Sequence, residues 1–136
     1  MQPDQWELDM RKFMLALATL FVLTASPSLA GGFSAYEKAK LDAAIQSGAP
    51  VVVHVHAEWC PICRRQVMVL NELFVDPALA KVQGIRVNYD RDRDFVSGYK
   101  VKRQANILVF KGGKEVARVD YDSDAGRIRT AIQRAL

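Results

Sequence analysis

Cysteine and histidine are scarce in this chain, with two of each among 136 residues. Two cysteines do not make a disulfide scaffold, which spreads several pairs along a short chain. Nor do they complete a four-ligand zinc site without help from other residues. Long apolar runs are also missing. The most apolar stretch, Phe13 to Leu23, has eleven residues, well short of the roughly 20 that span a bilayer comfortably. Internal repeats, low-complexity tracts and linkers are absent. Charge of one sign is not concentrated either: 19 basic residues face 15 acidic ones, for a net charge of +4. A scattered excess of that kind describes a solvated surface, and no nucleic-acid motif accompanies it. What remains is a half-hydrophobic chain of one-domain length, enough for a single packed core.

The start of the chain reads as a targeting segment. Arg11-Lys12 precede the apolar run, and Ser26, Pro27 and Ser28-Leu29-Ala30 follow it. A basic start, a short apolar centre and small residues at the cut describe a secretory signal peptide. Residues 1–30 are assigned to it, with cleavage after Ala30 and a mature chain of 31–136. Asp4, Glu7 and Asp9 fit this poorly. Met10 is the better translation start, and residues 1–9 then belong to an extended gene model. The style is bacterial, so the periplasm is the expected compartment, with no stable membrane insertion once the signal is cut. An uncleaved signal anchor, holding the domain at the inner membrane on the periplasmic side, is the alternative. Export allows disulfides to persist and to be exchanged.

Hydrophobic periodicity predicts the mature elements. Ser34 to Gln46 reads as a helix capped by Ser34 and stopped by Gly48. Val51 to Ala57 is a buried strand, rich in β-branched residues. A helix follows from Pro61 to Phe74, with Ile62, Val67, Leu70 and Phe74 on one face. A strand over 84–89 and a short helix within 90–99 come next. Asn106 to Lys111 and Lys114 to Val119 form a hairpin around Gly112-Gly113. A last helix, capped by Ser123 or Asp124, ends near Leu136. The strands joined through a helix should be parallel and the hairpin antiparallel, giving an α/β fold with a mixed sheet and helices on both faces.

The chemistry points to Cys60 and Cys63. Three positions apart on a helix, two sulfurs are neighbours. Cys60 follows a strand and opens the helix, and Pro61 suits the first helical position. The helix start places unpaired N–H groups and the positive end of the dipole beside Cys60, favouring its thiolate. Cys60 is therefore expected to be the accessible sulfur that forms a mixed disulfide, and Cys63 the one that resolves it. A static disulfide is the plainer alternative, but so small a loop constrains the unfolded chain little. His54 and His56 alternate along the preceding strand and so share a face. His54 is a candidate acceptor for the Cys63 proton. A different reading gathers His54, His56, Cys60 and Cys63 as zinc or copper ligands in a metal-binding or metal-delivery module.

Val53-His54-Val55-His56-Ala57-Glu58-Trp59-Cys60-Pro61-Ile62-Cys63 resembles the active-site segment of the thioredoxin family. Ile107 to Val116, with its Lys-Gly-Gly-Lys turn, resembles that family's hairpin, and the likeness in element order runs from Phe33 to Leu136. The resemblance implies a thioredoxin-like fold and dithiol–disulfide exchange with no bound cofactor or metal. Its partners would be protein thiols or disulfides and a redox partner protein. It also implies substrate contacts at Trp59, Pro61, Ala105 and Asn106. Three departures stand out. Ala105 occupies the place of the family's cis-proline, where a trans bond is expected. His54 stands where thioredoxins bury an aspartate. The dipeptide between the cysteines is Pro-Ile rather than Gly-Pro, a leading proline similar to glutaredoxins and periplasmic disulfide-forming oxidases. Reductant and oxidant are both open, because direction depends on relative potential.

Overall fold

A computed structural model describes residues 32–136; the expected signal segment, 1–30, lies outside the described residues. In chain order the elements are β1 (Phe33–Ala35), α1 (Lys38–Gln46), β2 (Val51–His56), α2 (Pro61–Leu73), β3 (Gln83–Asn88), α3 (Arg93–Gly98), β4 (Asn106–Lys111), β5 (Lys114–Asp120) and α4 (Ala125–Gln133). A 3-10 turn at Pro77–Leu79 joins α2 to β3.

The sheet runs β1-β3-β2-β4-β5. β2 pairs parallel with β3, while β4 pairs antiparallel with both β2 and β5. β2 is the centre of the sheet, and all six of its residues are buried. Its alternation divides the core. Val51, Val53 and Val55 face α1 and α3, packing with Leu41, Ala44, Phe95 and Val96. Val52 faces α2 and α4, packing with Leu70, Leu73, Ile128 and Ile132. Period-two alternation puts His54 and His56 on the α2 side as well.

The sequence expectation fails at the beginning of the domain. Ser34 does not cap a helix, because Phe33–Ala35 forms β1, in register with Gly84 to Arg86 of β3. Ser34 donates its hydroxyl to the Gly84 carbonyl at 3.4 Å. The helix begins only at Lys38, after Glu37. Elsewhere the expected elements are present with small shifts in their ends. Gly112 and Gly113 both have positive φ, 58° and 80°, as a two-residue hairpin turn of type I′ requires. Asp124 caps α4 by accepting the Arg127 N–H at 2.8 Å. The buried face of α2 is rotated from the expected one: it carries Cys63, Gln66, Leu70 and Leu73. No helix among the described residues is long and apolar enough to cross a membrane.

Candidate active site

The chain leaves β2 at His56, turns through Ala57, Glu58 and Trp59, and enters α2. Cys60 is the N-cap residue, in extended conformation at φ −91° and ψ 115°. Its N–H donates to the Ala57 carbonyl at 3.1 Å. Pro61 follows at the first helical position, where a missing N–H costs nothing. The Cys60 sulfur takes the part that a serine or aspartate oxygen plays at other helix starts: it accepts the backbone N–H of Cys63 at 3.1 Å. Both cysteines are thiols, and one hydrogen bond ties the first sulfur to the residue that carries the second. Arg64 closes the loop from outside by donating to the Glu58 carbonyl at 3.2 Å.

Cys60 is not exposed as expected. Its accessible fraction is 0 %, like that of Cys63. Ala57, Cys60, Cys63 and Ala105 form a small buried cluster, covered by the half-buried side chains of Ile62 and Tyr89. Tyr89 spans the site, donating its hydroxyl to the Lys102 carbonyl at 3.3 Å. The helix start alone would have left the sulfur open; Ile62 from α2 and Tyr89 from the β3–α3 loop pack against the cluster that holds it. Local opening of this cover must precede reaction at either sulfur. Tyr89→Ala is accordingly expected to raise the rate of Cys60 alkylation by iodoacetamide severalfold. An unchanged rate would mean that the sulfur is reached by another route.

Burial pushes the Cys63 thiol up, and its hydrogen bond to Cys60 adds to that effect. The backbones of Ala57 and Ala105 work in the opposite sense, favouring its thiolate. The Val55 carbonyl lies 4.0 Å from the Cys63 sulfur. Cys63 is thus held as the neutral thiol.

His54 lies under α2, but its partner there is Gln66. Its Nε2 is 3.0 Å from Gln66 Oε1. The Gln66 amide nitrogen donates to two carbonyls, of Ala105 at 3.0 Å and Asp122 at 2.8 Å. With its NH2 spent in that way, the Gln66 oxygen is an acceptor, so His54 must carry its proton on Nε2. His54 Nδ1 is buried without a partner among the described residues. Burial lowers the His54 pKa to about 3, and the ring is neutral at physiological pH. His56 packs edge to face against the His54 ring, with centroids 5.5 Å apart, but has other polar neighbours. Its Nδ1 is 3.9 Å from Glu58 Oε1, and it lines a cavity of about 370 Å³ with Arg86 and Arg91. The four residues considered as metal ligands do not form one ligand set among the described residues. Among the described residues no three His, Cys, Asp or Glu side chains could hold a metal ion, and the metal-delivery reading is not supported.

The His54 shift has a consequence for stability. Its folded pKa, about 3, lies below the ordinary histidine value of about 6.5, so the unfolded chain binds the proton more tightly. The contribution is complete above pH 6.5 and is lost as pH falls toward 3. Between pH 7 and pH 4 His54 should cost the fold about 3 kcal/mol. Urea unfolding at both pH values is expected to show that much steeper acid loss in the wild type than in His54→Leu. Equal losses would place the destabilising proton elsewhere.

Of the expected substrate contacts, Trp59 is 58 % exposed and Pro61 is exposed, while Ala105 and Asn106 are buried. Trp59 is steadied by its indole N–H, which donates to Asp90 Oδ2 at 3.0 Å. The chain has no cis peptide bond among the described residues, so Ala105 is trans, and it takes a left-handed φ of 59°. Both of its backbone groups are engaged. The N–H donates to the Val55 carbonyl at 2.9 Å, and the carbonyl accepts the Tyr121 N–H at 2.8 Å as well as the Gln66 amide. Tyr121 is left-handed too, at φ 55°, with Arg103 lying 4.5 Å over its ring. Asn106 is held by Arg103 and Asp120. Sequence reasoning did not single out Gln66, and it reads Tyr89 and Tyr121 only as core or surface filling. Gln66 had a signal: it is the polar interruption of the buried face of α2, as His54 is of β2, and the two interruptions meet.

The profile of the thioredoxin family matches residues 33–134. A thioredoxin of Alicyclobacillus acidocaldarius is 32 % identical over 81 residues, covering 60 % of this chain and 76 % of that protein. Thioredoxin 1 of a Nostoc species is 31 % identical over 75 residues, covering 55 % and 69 %. Among solved structures, the protein Trxlp of Edwardsiella tarda superposes with a TM-score of 0.69 at 32 % identity, covering 73 % of this chain and 98 % of that one. Malassezia sympodialis thioredoxin has the same fold at 20 % identity, with a TM-score of 0.68 over 74 % of this chain and 90 % of its own. With its two thiols paired at the start of α2 in that fold, the chain belongs to the thioredoxin family and is a thioredoxin-like thiol–disulfide oxidoreductase.

Proposed function

We propose that the mature domain exchanges disulfides with protein substrates in the periplasm, Cys60 attacking and Cys63 resolving. The observation that carries this reading is the 3.1 Å hydrogen bond from the Cys63 N–H to the Cys60 sulfur. It marks Cys60 as the sulfur at the positive end of α2, best placed to bear negative charge. In the reducing direction, the Cys60 thiolate attacks one sulfur of a substrate disulfide. That S–S bond breaks, a mixed disulfide forms, and one substrate thiolate leaves to take up a proton. Cys63 then loses its proton and attacks the Cys60 sulfur. The Cys60–Cys63 disulfide forms, the second substrate thiol departs, and the substrate has gained the two electrons the dithiol lost. The oxidising direction reverses each step.

Trp59 supplies the exposed apolar contact beside the sulfurs, and Ile62 and Tyr89 form the cover that a docking substrate displaces. Proton acceptance by His54, expected from its place on β2, has no part in this reading. A buried imidazole with a pKa of about 3 holds a thiol proton too weakly to be an effective base. The periplasmic assignment rests on the sequence of residues 10–30. Expressing the full chain in a Gram-negative host tests both parts. The expected product is a periplasmic protein beginning at Gly31 that reduces insulin disulfides. A cytoplasmic protein retaining Met10 would defeat the location, and a periplasmic one inert toward insulin and toward reduced protein thiols would defeat the activity.

A further inference from the structure

Gln66 is a buried polar side chain, 0 % exposed, in the helix that carries both cysteines. Nothing in dithiol exchange calls for a glutamine there. Its amide oxygen accepts from His54, and its amide nitrogen reaches across to the carbonyls of Ala105 and Asp122. These partners lie on β2, before β4 and after β5. One side chain thus joins α2 to three backbone segments around the site. Ala105 is the one that shares the buried cluster of Cys60 and Cys63.

The left-handed φ of Ala105 makes a clamp necessary. A residue with a Cβ is disfavoured in that region, so the turn persists only where its surroundings hold it. Gln66 and Tyr121 hold it by its carbonyl, and Val55 by its N–H. Held so, Ala105 stays packed in the buried cluster with Cys63, and its backbone favours the Cys63 thiolate.

We infer that Gln66 is a positioning residue for the resolving step, acting through the Ala105 turn to set the environment of Cys63. The inference rests on the dithiol reading above and goes beyond it by separating the two steps of exchange. Without the clamp, Ala105 relaxes toward negative φ and its backbone leaves Cys63, while Cys60 at the start of α2 keeps its own hydrogen bond. Resolution slows; the first attack does not.

Gln66→Met tests this, since methionine fills nearly the same volume with no amide. Single-turnover kinetics with a disulfide-bonded peptide resolve formation of the mixed disulfide from its collapse, and the pH profile of collapse reports the thiol of Cys63. The expected result is collapse slowed about tenfold, with its profile moved up by about one pH unit, and formation within a factor of about two. Glycine adopts positive φ freely, so Gln66→Met/Ala105→Gly should return collapse to near the wild-type rate. Wild-type collapse in Gln66→Met, an equal loss in both steps, or a double variant as slow as the single one would each overturn the inference. Should Gln66→Met fail to fold, the double variant decides alone: near-wild-type collapse supports the clamp, and slow collapse or failure to fold refutes it. A wild-type protein that forms no mixed disulfide would instead overturn the dithiol reading itself.

Discussion

Serine at position 60 is expected to bring the disulfide-exchange rate down to the uncatalysed background, whichever direction is assayed. The hydroxyl keeps the helix cap, because an oxygen there accepts the residue-63 N–H as well as sulfur does. Loss of activity with an unchanged melting temperature would therefore isolate chemistry from folding. Cys63→Ser should behave differently. Its Cys60 still attacks, but the mixed disulfide has no internal thiol to release it and accumulates. The two variants together assign the roles: no adduct with Cys60→Ser, a stable adduct with Cys63→Ser. Insulin reduction surviving Cys60→Ser, or an adduct found at Cys63, would reverse the assignment drawn from the helix cap.

Proline at position 105 is expected to be the most damaging single change near the site, although it restores a residue that thioredoxins carry there. Proline fixes φ near −65°, whereas Ala105 sits at +59°. It also removes the N–H that donates to the Val55 carbonyl at 2.9 Å, leaving that buried acceptor only the Cys63 thiol at 4.0 Å. That combination costs about 3 kcal/mol or more. Ala105→Gly should not destabilise, because relief of the left-handed strain offsets the extra freedom of glycine in the unfolded chain. Chemical denaturation of the three proteins reads both effects. A proline variant as stable as the wild type would show that the loop can adopt the other geometry without penalty, and the role of Gln66 as its clamp would go with it.

These two variants mark how far the sequence reaches. Local signals were enough for the dithiol. A β-branched run, a turn, two cysteines three apart and a proline between them place Cys60 at a helix start, and the sulfur is found capping that helix. The hairpin was legible for the same reason, since Gly112-Gly113 is a local signal between two apolar runs. Elements fixed by distant partners were not legible. Phe33–Ala35 is too short to show a period and is a strand only because β3 pairs with it. Cys60 is buried in a cluster against which Tyr89, remote in sequence, packs. His54 and Gln66 were each visible as polar residues on apolar faces. Only the packing of α2 on β2 shows that they satisfy one another.

The account depends most on the two sulfurs acting as one redox unit. Oxidising the reduced full-length protein with glutathione disulfide and mapping its peptides by mass spectrometry tests that directly. The expected product has lost two hydrogens and yields a Cys60–Cys63 crosslinked peptide, which a reductant returns to the dithiol. A product that remains a dithiol, or that ends as a stable glutathione adduct with Cys63 still free, would contradict it.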